Sequence, residues 1–455
     1  MCVSSTTTRL ALLLLATGPA FAADGPTAKP RYALAPGREF VYRSETRPDK
    51  GDTTYHVDWK TWVVGREPDG SWTLVLRCDL KSEHGQEGGA HGNDKPDTLV
   101  WRCRLFDDGR LEGATKMGTV RDPFRLFPRL PDGPEQRQNG WDSKGPEIDG
   151  SVQHHRLTSA ADAPALTIAT TSESAQDKVY LTTHEYRATF DPRRGVVTRV
   201  ETEDNSRHLK QGLVRGVIEL TAVEDRGPEW AAEFGREAGR YFAAMDAYEA
   251  ALAKAGRDAD RSQAILAEAR AKLEEARAGL KSPVFLDAVA QRLDQHDATA
   301  NYYADEAKAR AQRLGKAAAD WEAKDVDGKT HRLADYRGKV VVLDFWYRNC
   351  GWCMHAMPQV NRLAETFRDA PVAVLGMSTD GDEKDARAVV EAMGLKYPTI
   401  KAAGLPEKYG VSAFPTLVVI DRAGTVREVH TGYSPRLYDE LSALIRRLLD
   451  DKPAK

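Results

Sequence analysis

Residues 340–358 read VVVLDFWYRNCGWCMHAMP, an apolar run broken only by Asp344 that ends just before two cysteines with two residues between them. A run of this length is what a strand buried on both faces needs, because a half-exposed strand would alternate. A helical pattern follows to about Arg368, so Cys350 is delivered by a strand to the start of a helix. Three chemistries are open to such a pair: metal binding, a structural bridge, or a redox couple that cycles between dithiol and disulfide.

Position on a helix start has a consequence for the sulfurs. Unpaired backbone N–H groups and the positive end of the helix dipole stabilise a thiolate there, which predicts a lowered pKa for Cys350. Cys353 lies one turn further in and is expected to be less exposed. The asymmetry yields one attacking and one resolving sulfur. Asp344 stands out in the same strand, since a carboxylate in VVVLDFW is costly to bury unless it is neutral, solvated or useful.

The chain around the motif carries more than one domain. It has 455 residues, 41% hydrophobic and 29% charged, which is too polar for a polytopic membrane protein. A formal charge of −3 gives no field that would gather nucleic acid. Residues 1–22 read as a secretory signal: Arg9, an apolar run from Leu10 to Ala16, and Ala20-Phe21-Ala22 before the cleavage point. The run is shorter than the roughly 20 residues that span a bilayer. Cys2 would leave with this segment, and Cys78, Cys103, Cys350 and Cys353 would remain. Export to a bacterial periplasm or cell envelope places them in an oxidising compartment.

Three further regions follow. Residues 30–226 carry strand patterns such as TYHVDWKTWVVG and KVYLTTHEYRATF, punctuated by Gly, Asp and Pro, and predict an antiparallel β domain, curved or closed on itself. The stretches from Asp122 to Gly150 and around HGQEGGAHGND read as long surface connections. Cys78 and Cys103 lie on successive candidate strands, and a symmetric register would set them opposite each other as a structural disulfide, the main alternative being two unpaired buried thiols. His84, His91, His154 and His155 lack carboxylate or cysteine partners at ligand spacing, which argues against a metal site. Residues 229–314 shift to Ala, Glu, Arg, Lys and Leu, and predict about three helices, as a helical hairpin or bundle linker, with Ser282-Pro283 opening the last. Residues 319–455 alternate strand and helix signals, which predicts a mixed sheet covered by helices on both faces.

The segment Ala319–Asp450 resembles the thioredoxin superfamily, and more narrowly its exported TlpA/ResA-like thiol-disulfide oxidoreductases. The resemblance rests on DGKTHRLADYRGKVVVLDFW leading into C-x-x-C, on Pro358, on YGVSAFPTLVVID with Pro415, and on the insertion EKDARAVVEAMGLKYPTI. It covers less than a third of the chain. It implies that Cys350 and Cys353 are catalytic, that Pro415 is a cis-proline beside the disulfide, and that the backbone of Phe414 is presented for pairing with a substrate. It implies too that Asp344 corresponds to the buried aspartate that accepts the resolving thiol's proton, the alternative being a purely structural hydrogen-bonding role. Trp346, Gly351, Trp352 and Pro358 form the surroundings of the site, Pro358 as a helix kink.

The Gly351-Trp352 dipeptide has neither the proline common in reducing thioredoxins nor the glutamate of the ResA pattern, so reductant, oxidant and isomerase all stay open. No organic cofactor and no metal is expected. The expected partners are protein dithiols and disulfides, with a membrane thiol electron donor if the protein is a reductant, no nucleic acid, and an unknown ligand of the β domain. The alternative is an envelope binding or scaffold protein whose β domain carries the function, with the thioredoxin-like module as a redox sensor. A metal chaperone using the thiolates with His430 is disfavoured by the C-x-x-C spacing. A peroxidase lacks its P-x-x-x-[ST]-x-x-C arrangement.

Overall fold

The computed structural model describes residues 29–50, 53–83, 96–113, 122–145, 151–159, 164–206 and 212–451. The expected signal segment, His84 and His91 lie outside the described residues.

Alternating sequences in the first half form strands β1 (Arg38–Pro48), β2 (Thr54–Arg66), β3 (Trp72–Glu83), β4 (Asp97–Leu105) and β5 (Leu111–Glu112). Helix α1 (Pro134–Asn139) precedes β6 (Trp141–Lys144), β7 (Val152–Leu157) and β8 (Leu166–Glu173). Helix α2 (Ala175–Tyr180) then interrupts the meander before β9 (Thr182–Asp191), β10 (Val196–Ser206) and β11 (Gly212–Asp225). Together they make one antiparallel sheet in the order β5-β4-β3-β2-β1-β11-β10-β9-β8-β7-β6. In β9 the buried residues are His184, Tyr186, Ala188 and Phe190, the period of two that puts alternate side chains on one face. A single core takes Trp59, Leu74 and Leu105 from one end of the sheet and Ile168, Ala188 and Phe190 from the other. The sheet therefore curls around that core. Register shifts at Val41/Tyr42 and Val197/Arg199 add local bend.

Three expectations for this region need correction. Cys78 and Cys103 are not bridged: Cys78 pairs with Leu99 and Cys103 with Leu74, and both are buried thiols. Four residues of offset put them roughly 13 Å apart along the strands, beyond the ~7 Å that a disulfide tolerates. The stretch after Asp122 is not a surface connection, because Leu126, Phe127 and Leu130 enter the core and Trp141–Lys144 forms β6. Lys178–Tyr180, read as the start of a strand, close α2 instead. Ser174 caps that helix, its Oγ accepting from the Asp177 N–H at 3.0 Å.

The helical region has four helices, where the sequence pattern suggested about three: α3 (Gly227–Ala255), α4 (Ser262–Ala278), α5 (Pro283–Asp294) and α6 (His296–Arg313). The extra break falls at Gln295, which keeps near-helical dihedrals, so no Gly or Pro signals it. These helices pack on the outer face of the sheet. Trp62 and Val75 point away from the sheet's inner core and join Phe234, Tyr241 and Phe285. Arg77 also reaches Asp287 at 2.9 Å.

The C-terminal region comprises β12 (Glu322–Lys324), β13 (Thr330–Arg332), β14 (Val340–Trp346), α7 (Gly351–Thr366), β15 (Val372–Ser378), α8 (Glu383–Met393), β16 (Thr399–Lys401), α9 (Leu405–Tyr409), β17 (Thr416–Ile420), β18 (Val426–Thr431) and α10 (Leu437–Asp450). Its five-stranded sheet has the order β16-β15-β14-β17-β18, parallel across β14–β16 and antiparallel across β17 and β18. Every residue of the central strand β14 is buried, as its continuous apolar run requires. Val340 and Val342 face α7 and α10, while Val341, Leu343 and Phe345 face the opposite core with Trp321 and Tyr409. Arg310 on α6 grips Glu428 on β18 with bonds of 2.8–3.0 Å, which ties the helical region to this sheet.

Candidate active site

Strand β14 ends at Trp346, and four residues later Cys350 caps α7. Its Sγ accepts a hydrogen bond from the Cys353 N–H at 3.1 Å, so the sulfur occupies the place where a helix start offers free donors. Cys350 and Cys353 are joined by a disulfide. Cys350 is 6% exposed and Cys353 1%. Between them, Trp352 stands 46% exposed and stacks on Tyr433 at 5.5 Å. Tyr347, 37% exposed, meets Phe414 edge to face at 5.2 Å.

The Phe414–Pro415 peptide bond is cis, immediately before β17, which pairs with β14. Phe414 packs against a buried cluster that contains Trp346, Cys350, Cys353, Met354 and Met357. Of the residues singled out in the sequence, these form one assembly. Pro358 lies inside α7 but on its exposed side. Cys78 and Cys103 belong to the core of the N-terminal sheet.

Asp344 shares its strand face with Val342 and Trp346, the face that α7 covers. It is buried, and the loss of hydration pushes its carboxyl pKa up to about 7, against the opposing effect of a hydrogen bond from the Tyr397 hydroxyl. Room for this pair comes from Gly376, opposite Asp344 in β15: a side chain there would come within 3.1 Å of Trp346 Nε1, Thr399 Oγ1 and the Tyr397 ring.

Two participants carried no sequence signal. Tyr397 lies in KYPT, where nothing marks it as a partner of a residue 53 positions away. Arg348 sits in an ordinary-looking loop, yet it is buried, pairs with Asp385 on α8 at 2.8 Å, and donates from Nε to the carbonyl oxygen of Val179 at 3.0 Å. Val179 is in α2 of the N-terminal sheet region and is a member of the cysteine cluster.

The candidate metal residues do not converge. His154 and His155 project to opposite faces of β7; His154 meets Asp142, and His155 lies between Ser143 and Thr170. His430 is buried on β18, two strands from β14.

Residues 314–429 match a family model described as the AhpC/TSA family. The thiol-disulfide oxidoreductase ResA of Geobacillus thermodenitrificans is 33% identical over 121 residues, which are 26% of this chain and 70% of that relative. The chain belongs to the ResA-like thiol-disulfide oxidoreductases. Thioredoxin-like protein YneN of Bacillus subtilis is likewise 33% identical over 121 residues, 26% of this chain and 71% of its own. Among solved structures, the exposed lipoprotein thioredoxin of Streptococcus pneumoniae aligns with 28% of this chain and 99% of its own, at 32% identity and a TM-score of 0.26. These matches concern the C-terminal region; the enzyme carries its large antiparallel sheet and four helices in front of it.

Proposed function

We propose that this oxidoreductase exchanges disulfides with protein partners in the cell envelope, with Cys350 as the attacking sulfur and Cys353 as the resolving one. The observation that carries the reading is the cap position of Cys350, whose sulfur accepts the Cys353 N–H at the start of α7. When the pair is reduced, that donor and the helix dipole favour the thiolate at Cys350. The thiolate attacks one sulfur of a partner disulfide, forms a mixed disulfide and releases the other sulfur as a thiolate. Cys353 gives its proton to Asp344, directly or through water, then attacks the Cys350 sulfur. The second partner sulfur leaves, the Cys350–Cys353 bridge closes, and two electrons have passed to the partner. The same steps in reverse oxidise a partner dithiol.

Asp344 suits this role because its pKa, raised to about 7, lets it exchange a proton near neutral pH. Tyr347, Trp352 and Phe414 offer an aromatic surface beside Cys350, and the Phe414–Pro415 backbone supplies an edge for an extended partner segment. Work as a reductant requires a membrane-bound dithiol donor to restore the thiols. The envelope location rests on the signal-like residues 1–22.

Trapping in cells tests the reading. Cys353→Ser should accumulate mixed disulfides with envelope proteins, and Cys350→Ser should accumulate none. Stable adducts in Cys350→Ser would reverse the assignment.

A further inference from the structure

Among the described residues, the N-terminal sheet region reaches the redox centre through the short helix α2. Val179 of α2 is fully buried in the cluster with Cys350, Cys353, Trp346, Ala386 and Val389, and Tyr180 packs against the same cluster. Gln176 Nε2 lies 3.6 Å from where a Cβ on Gly351 would stand, so the helix flanks the dipeptide between the cysteines.

This helix is tied on both sides. Toward the sheet, Asp177 is bridged by His184 at 3.0 Å to Asp204 at 2.6 Å, and Asp204 holds the buried Arg125, also at 2.6 Å. Toward the redox region, the Val179 carbonyl accepts two guanidinium bonds from Arg348, two residues before Cys350. Arg348 is itself fixed by Asp385 and, through its backbone N–H, by Asp380 at 3.0 Å. A helix of six residues would not hold its place by its own hydrogen bonds; these anchors fix it.

We propose that α2 is a specificity-determining wall of the thiol-exchange site, closing the α8 side of Cys350 so that disulfides in extended, flexible segments react in preference to disulfides set in a folded surface. The proposal rests on the reading of Cys350 as the attacking sulfur. Attack on a disulfide aligns the attacking, central and leaving sulfurs, so the partner chain must lie across Cys350. Gln176 and Tyr180 close the α8 side, and the exposed rings by the cysteines are those of Tyr347, which lies near Tyr180, and Trp352, so the approach left open is the one past these rings. A flexible segment can enter along that single side, whereas a folded surface meets α2 first.

The test uses the full chain with its cysteines reduced and two probes, oxidised glutathione as a small flexible disulfide and insulin as a folded one. The quantity read is the ratio of the insulin rate constant to the glutathione rate constant. Tyr180→Ala lowers the wall and should raise that ratio by about fivefold or more, and Gln176→Trp heightens it and should lower the ratio comparably, within the range that pocket contacts produce. Both side chains are half-buried on a surface helix, and urea unfolding of each variant checks that the fold is kept. A ratio that both variants leave within about twofold of wild type, or move in the same direction, overturns the wall. A wild-type enzyme inert to both probes would instead overturn the thiol-exchange reading itself, and the wall with it.

Discussion

The Tyr397 hydroxyl donates a 3.1 Å hydrogen bond to Asp344 Oδ2, and both side chains are buried. Burial raises the pKa of each, which keeps the phenol protonated as a donor and brings the carboxyl to about 7. The tyrosine thereby moderates the charge cost of the aspartate. Removing either partner has separable consequences.

Asp344→Asn keeps the shape and removes the base. Attack by Cys350 should be largely retained, while resolution by Cys353 should slow by about 10- to 100-fold near neutral pH, the low part of the range for general-base catalysis. Stopped-flow separation of the two steps checks this. Equal resolution rates in variant and wild type between roughly pH 6 and 8 would leave Asp344 as a structural residue.

Tyr397→Phe removes a bond that favours the ionised carboxylate, so the Asp344 pKa should rise further. The pH profile of the resolution step should move upward by about 0.5–1 unit, the equivalent of one hydrogen bond of ~1 kcal/mol. An unmoved profile would show that the hydroxyl does not govern this titration.

Stability should follow the same group. The folded protein holds the Asp344 proton to about pH 7, whereas the unfolded chain releases it near pH 4. Between those limits the folded state binds the extra proton, so this group's contribution to stability falls as pH rises from about 4 to about 7 and is flat above. Oxidised Asp344→Asn lacks that loss. Its advantage over wild type in denaturant unfolding should grow across the window to on the order of 2–4 kcal/mol. A difference that does not change with pH would contradict the linkage.

Much of the C-terminal architecture is legible in the chain because its central strand is continuously apolar and its cysteines fall at a helix start; both signals are local. The N-terminal sheet is less so. In β7, VQHHRL, the inward residues are Gln153 and His155, so the alternation carries no hydrophobic signal although the strand is present. The disulfide expected between Cys78 and Cys103 failed because register depends on the pairing of whole strands, and the spacing of two cysteines does not encode it. Arg348, Tyr397 and Val179 escaped notice for a related reason. Each acts through a partner distant in sequence, and only the packed structure makes those pairs.

The two cysteine pairs should separate chemically. Alkylation in denaturant without reductant, followed by peptide mapping, should label Cys78 and Cys103 and spare Cys350 and Cys353 until reductant is added. In the native protein Cys103 should resist labelling, because it is buried and burial pushes its thiol pKa up. Recovery of a Cys78–Cys103 bridged peptide would mean that β3 and β4 adopt another register.

Arg348 joins three elements, and its removal should be felt in all of them. Arg348→Ala deletes two donors to the Val179 carbonyl and leaves Asp385 without its buried partner. A carbonyl stripped of its donors inside a protein costs about 1–3 kcal/mol, and a broken buried ion pair about 3–5. Asp385 is a third exposed, so water recovers part of its loss, and a total of about 3 kcal/mol is expected. The loss should be uneven: amide hydrogen exchange in α2 should speed up more than in β14, since α2 is short and relies on this anchor while β14 is held between two neighbours. Urea unfolding combined with exchange measured by mass spectrometry reads both effects. A variant with unchanged α2 protection would show that the remaining contacts, the His184–Asp177 link and the packing of Val179, hold the helix, and that Arg348 serves α8 rather than the junction.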